Sequence, residues 1–275
     1  MAGIANDILE ARSLPAQNAA QWDHTYVATA SGLSWGCFGR DSGGQLLISG
    51  AGNSAIADCL SYRRLPLSGA NGTFIIYAGI VYAATGVCHQ ASNRILWPAQ
   101  QLTLPLQTAG YSLSVYFWGV YGLRTWSEFG HCAQMNVVDG NGSFNQQLCL
   151  TAQTADRRSK AMTATSPGAP LSSLESVDDL RRFFHSRLEG EVEEYRIIKI
   201  YEIRKLFKER QDVLVGSLLN GEINKEVYLQ EFASLSMFCM NSTRALLGEK
   251  NFFAVFGEIG YAPEKIIDEK IFLTN

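Results

Sequence analysis

The stretch Gly86-Val87-Cys88-His89-Gln90-Ala91-Ser92-Asn93-Arg94-Ile95-Leu96 decides how this chain is read. It leaves an apolar run at residues 73–87 through a glycine. Ala91, Ile95 and Leu96 then recur at helical spacing, and Pro98 is the expected stop. Cys88 therefore falls in the first turn of a predicted helix. Unpaired N–H groups and the helix dipole favour a thiolate over a thiol at that place. An ordinary buried cysteine is a small hydrophobe among apolar groups. Here His89, Gln90, Ser92 and Asn93 surround it in sequence with polar groups.

A nucleophilic cysteine also needs an imidazole to take its proton. The chain has four histidines. His185 falls in a charged, helix-forming region. His89 is adjacent to Cys88, and neighbouring side chains on a helix diverge by about 100°, so it is a poor general base. His24 and His131 are left. His24 sits near the start of QWDHTYVAT, residues 21–29, a predicted strand on which His24, Tyr26 and Ala28 share one face. His131 lies in Gly130-His131-Cys132-Ala133-Gln134, ahead of the turn Asp139-Gly140-Asn141-Gly142. His24 is the preferred base and His131 the alternative. A third, orienting group is unassigned; Asn136, Asp139 and Asn141 are candidates if His131 serves.

The two segments together resemble the papain-like NlpC/P60 superfamily, and in particular its permuted branch. There a strand-borne histidine precedes a Cys-(His/Asn)-x-(Phe/Ala) helix. Asp23-His24-Thr25-Tyr26-Val27 looks like the histidine strand, and Gly86-Val87-Cys88-His89-Gln90-Ala91-Ser92-Asn93 like the cysteine helix. The likeness covers roughly residues 20–125. The aromatic that usually follows the cysteine is missing here. In the unpermuted order the histidine comes after the cysteine, and His131 fits that order. The resemblance implies a cysteine-dependent hydrolase or acyltransferase (a thiol protease or amidase, for example). Cys88 would attack an amide, ester or thioester carbonyl of a peptide or acyl-bearing substrate. The backbone N–H of Cys88 and a polar neighbour would hold the oxyanion.

Composition frames this reading. Hydrophobic residues make up 47% of the 275 and charged residues 18%, the balance of a globular chain. A net charge of −3 gives no reason to expect nucleic acid or an acidic membrane as partner. The glycine-dense run at residues 35–44 forms neither a GxGxxG fingerprint nor a Walker loop, so no nucleotide and no other cofactor is expected. Six cysteines are too sparse for a disulfide scaffold, although Cys37 and Cys59 could bridge in an oxidising compartment. Residues 1–15 lack the basic start and apolar core of a signal peptide, so the default expectation is cytoplasmic. Residues 73–87 fall short of the ~20 apolar residues of a membrane span.

Charge is unevenly distributed, which suggests two domains. Residues 1–150 are expected to form the α+β cysteine-hydrolase-like domain and 151–175, small and polar with two prolines, a linker. Residues 176–275 are expected to form a small all-α helical bundle that binds a protein partner, targets or occludes the site. Within the first part, residues 4–12 read as a short helix, 45–49 as a strand ending in a turn at 50–53, and 111–121 as a strand. Within the second, apolar spacing predicts one helix over 178–211, about 50 Å long, with Gly190 as its weak point. Ser176 and Asp179 make a capping box, Asn220-Gly221 a break, and Asn224 the cap of a helix running to Leu247 and Gly248. Two other functions stay open: a non-enzymatic two-domain interaction protein, and a zinc site built from Cys88-His89 and His131-Cys132.

Overall fold

The structure, a computed structural model, describes residues 6–16, 19–37, 42–54, 57–58, 76–100, 102–122, 174–190 and 192–274. His131, Asn136, Asp139, Asn141, Cys132, Cys59 and residues 151–173 of the expected linker 151–175 lie outside these residues.

The fold is mixed α+β, a small antiparallel sheet with several helices. Strands β1 (Asn6–Ala16), β2 (Ala19–Thr29), β3 (Ser34–Gly36) and β4 (Gln45–Asn53) pair in the order β3-β2-β1-β4. The helix expected at 4–12 is instead β1. Its period is two: Leu9, Ala11 and Ser13 are buried, while Ile8 on the alternate face is exposed. Pairing with strands on both sides supplies the hydrogen bonds that a lone helix would have made for itself. The turn expected at 50–53 is also strand. Gly50 pairs with Leu9 and Gly52 with Asp7, so these glycines mark close packing and not a reversal. β5 (Ile76–Tyr77) and β6 (Ile80–Val81) form a minimal hairpin, turning through Ala78 at φ 49° and Gly79 at φ 76°.

Helix α1 (Cys88–Gln100) packs across the sheet, chiefly on β2. Pro98 does not stop it. A proline this close to the C-terminus removes one N–H donor from the last turns and leaves the rest of the ladder standing. Helix α2 (Tyr111–Trp118) replaces the strand expected at 111–121. All but one of its eight residues are buried, so no polar face existed to betray a helical period. Gly110 and Gly119, at φ 70° and 73°, bracket it, and the Gly119 N–H closes on the Val115 carbonyl at 2.8 Å.

The C-terminal part is helical: α3 (Val177–His185), α4 (Glu194–Leu219), α5 (Lys225–Leu247), α6 (Glu249–Phe256), two 3₁₀ turns (Glu258–Tyr261 and Pro263–Ile266) and α7 (Glu269–Thr274). The single helix expected over 178–211 is two, interrupted between His185 and Glu194. The Ser176–Asp179 capping box is present in both directions, and Asn224 caps α5 by accepting from the Val227 N–H at 2.9 Å. Residues from both parts of the chain share one hydrophobic core. α2 is its hub: Phe117 stacks on Phe207 at 4.8 Å, Trp118 on Phe232 at 5.6 Å, and Tyr116 meets Phe256 edge-on at 5.2 Å. Polar ties cross the same junction. The Tyr116 hydroxyl bonds Thr243 at 2.9 Å, and buried Arg204 donates Nε to the Tyr116 carbonyl at 2.8 Å.

Candidate active site

The helix that carries Cys88 begins where the sequence placed it, and its start is built by side chains. The Val87 N–H donates to Gln90 Oε1 at 3.0 Å, and the Ala91 N–H makes the first helical bond to the Val87 carbonyl at 3.2 Å. Gln90 thus supplies the returning half of a capping box three residues into α1. Gly86 makes room for it, because a Cβ there would lie 2.9 Å from the Gln90 Cβ. The result fixes Cys88 in the first turn, whose N–H groups have no intrahelical acceptor.

Strand β2 brings His24 to this point. It is held in register opposite Leu14 of β1, with its ring stacked on Tyr26 at 6.2 Å between centroids. His24 hydrogen-bonds the Cys88 sulfur, and the backbone of Thr25 does so as well. One turn further along α1, Ser92 Oγ donates to Thr25 Oγ1 at 3.2 Å, tying helix to strand beside the pair.

The thiol is buried, 7% exposed. Burial pushes its pKa up. The positive field of His89, then the hydrogen bond and charge of His24, then the Thr25 amide, push it down. The net result is lowered, to about 7. His89 acts on the thiol through its charge, and its ring is engaged elsewhere. Its Nδ1 lies 2.9 Å from Ser114 Oγ on α2, and its ring meets Tyr111 edge-on at 5.5 Å. Ser114 Oγ also donates to the Tyr111 carbonyl at 3.0 Å and accepts from Gln90 Nε2 at 3.2 Å. A hydroxyl with its proton so used accepts from His89 Nδ1–H.

The other polar residues of the motif support the site. Asn93 Nδ2 donates to the Tyr111 hydroxyl at 2.7 Å and the Val120 carbonyl at 3.0 Å, while its Oδ1 accepts from the Leu104 N–H at 2.8 Å. Arg94 donates to the Tyr121 and Ala78 carbonyls. No local sequence pattern points to Tyr82. Burial and the field of Cys88 push its phenol well above the usual range, and its oxygen accepts from the Asp268 N–H at 3.0 Å. Only the glutamine three residues after Val87, a capping-box spacing, could have signalled Gln90.

Of the predicted site residues, Cys88 and His24 are brought together, and His131 lies outside the described residues. Cys37 and Cys239 are buried. Among the described residues no group of three or more His, Cys, Asp and Glu could hold a metal ion, and no helix is long and apolar enough to cross a membrane. Comparison with protein-family models, with curated proteins and with solved structures finds no match to this chain.

Proposed function

We propose that the protein is a cysteine-dependent hydrolase or acyltransferase acting on an amide, ester or thioester, with Cys88 as nucleophile and His24 as base. The observation that carries this reading is the Cys88–His24 hydrogen bond at a helix start, with a thiol lowered to about 7 in spite of burial. Desolvation alone would leave an inert thiol. The order of strand histidine before helix cysteine accords with the resemblance to the permuted NlpC/P60 branch.

The chemistry follows from the pair. The Cys88 thiolate attacks the carbonyl carbon and forms a C–S bond. Charge gathers on the carbonyl oxygen, to which the N–H of Cys88 in the first helical turn donates. The carbonyl reforms, the C–N, C–O or C–S bond to the leaving group breaks, and His24 returns the proton to that group. Water, or a second nucleophile in acyl transfer, then attacks the thioester while His24 takes its proton, and Cys88 is released. Incubation with p-nitrophenyl acetate is expected to give a burst and a covalent acetyl group on the Cys88 peptide by mass spectrometry. His24→Ala should slow acylation by about 10²–10⁴-fold. Acetylation elsewhere, or a rate unchanged in His24→Ala, would contradict the assignment.

A further inference from the structure

Arg187 stands apart from the other arginines of its neighbourhood. On α3, Arg181 is paired with Asp178 and Glu194, and Arg182 with Asp179; at the start of α4, Arg196 is paired with Glu193. Arg187, just past the end of α3, has no carboxylate partner among the described residues. Its guanidinium is half-buried. Nε donates to Ser112 Oγ at 2.6 Å, and one terminal nitrogen donates to the Phe183 carbonyl at 3.3 Å and Ser186 Oγ at 2.9 Å. The carbon of the group lies 4.2 Å over the Phe183 ring. The remaining nitrogen, Nη2, is buried and makes no hydrogen bond. A half-buried cation with an unused donor is costly unless something supplies the acceptor.

Arg187 lines a cavity of about 610 Å³ between the 106–112 segment and the 253–259 segment. That volume suits a ligand of peptide size. Leu106, Phe253 and Phe256 give it apolar wall, and Thr108 and Ser112 give it hydroxyls at the entry to α2. Gly110 is part of the same wall, and a Cβ there would lie 3.6 Å from His89 Cε1. The cavity therefore adjoins the residue next to Cys88. Three titratable groups besides Arg187 face this region: His89 behind Gly110, buried Tyr111, whose phenol burial raises to about 12, and exposed Glu258 in the lining.

We propose that this cavity binds the single carboxylate of a peptide-sized acyl ligand, with Arg187 as its counter-ion. Arg187 supplies one positive charge, which a monoanion balances and a phosphate dianion exceeds, while Glu258 opposes either. With Nε and Nη1 already donating, Nη2 is the nitrogen left to make a charge-assisted hydrogen bond to one carboxylate oxygen. That the ligand is an acyl substrate rests on the cysteine reading; that the cavity takes a carboxylate does not.

The test is calorimetric titration of the full chain carrying Cys88→Ala, at low salt, with N-acetyl-alanyl-leucine, its C-terminal amide, and inorganic phosphate. The acid is expected to bind at least about tenfold tighter than the amide, and Arg187→Met should erase that difference. Glu258→Gln, a surface change that does not endanger folding, should tighten the acid by about two- to five-fold. Equal affinity for acid and amide, including no binding of either, or a preference that survives Arg187→Met, would overturn the proposal. Phosphate binding as tightly as the acid would overturn the monocarboxylate assignment. Iodoacetamide labelling of Cys88 is read separately in Arg187→Met with Cys88 intact. An unreactive Cys88 there and in the wild type counts against the hydrolase reading alone.

Discussion

Cys88 shows how one residue's surroundings set its chemistry. Burial opposes the thiolate, while His89, His24 and the Thr25 amide favour it, and the second group wins. The shift is also a statement about stability. Its surroundings hold the thiol down to about 7 in the folded chain, against ~8.5 in an unfolded one. Between those values the unfolded chain binds more protons, so stability rises with pH across that window. The thiolate contribution is fully present above ~8.5 and is lost as pH falls through about 7. It amounts to about 2 kcal/mol. Urea midpoints of wild type and Cys88→Ala should therefore diverge in favour of wild type between pH ~7 and ~8.5. A constant difference across that range would show that the thiol does not titrate there. The sequence made the cysteine and both candidate bases visible. It could not show the Thr25 amide or Tyr82, because neither belongs to a local pattern.

At the scale of elements, legibility followed whether a face was left polar. The start of α1 was readable because a glycine and a polar run follow an apolar one. The caps at Ser176 and Asn224 were readable because capping is local chemistry. Helix α2 was not readable, since burial on every side erased its period. The break between α3 and α4 was hidden for a related reason. Leu188 and Val192, at helical spacing in the sequence, both pack against the core from irregular backbone. The sheet and α1 meet closely at Gly52 of β4, where an added Cβ would lie 2.7 Å from Leu9 Cδ1, 2.9 Å from Gln100 Cβ and 3.0 Å from the Ala99 carbonyl. Backbone cannot retreat as a flexible side-chain tip can. Gly52→Ala should therefore destabilise by about 1–3 kcal/mol in urea unfolding. An unchanged midpoint would mean that helix and sheet are not in contact there.

Over the whole molecule, the site is held from both ends of the sequence. The Tyr228 hydroxyl donates to the Ala83 carbonyl at 2.8 Å, five residues before Cys88, and Asp268 reaches Tyr82. Tyr116, on the helix that also carries Ser114 and so His89, is bonded to Thr243 and Arg204. The helical part thus braces the backbone on which the cysteine sits. Its contrasting composition was legible; these ties between its residues and the Cys88 segment were not, because they join residues far apart in sequence.

Activation of Cys88 by His24 is read most directly from the pH dependence of iodoacetamide labelling at Cys88, followed by peptide mass spectrometry. Wild type should show a midpoint at about 7. In His24→Ala the midpoint should move up, because burial then meets less opposition, and His131→Ala should leave it in place. A wild-type midpoint at or above the free-thiol value of ~8.5, or one that follows His131 and not His24, would contradict the account.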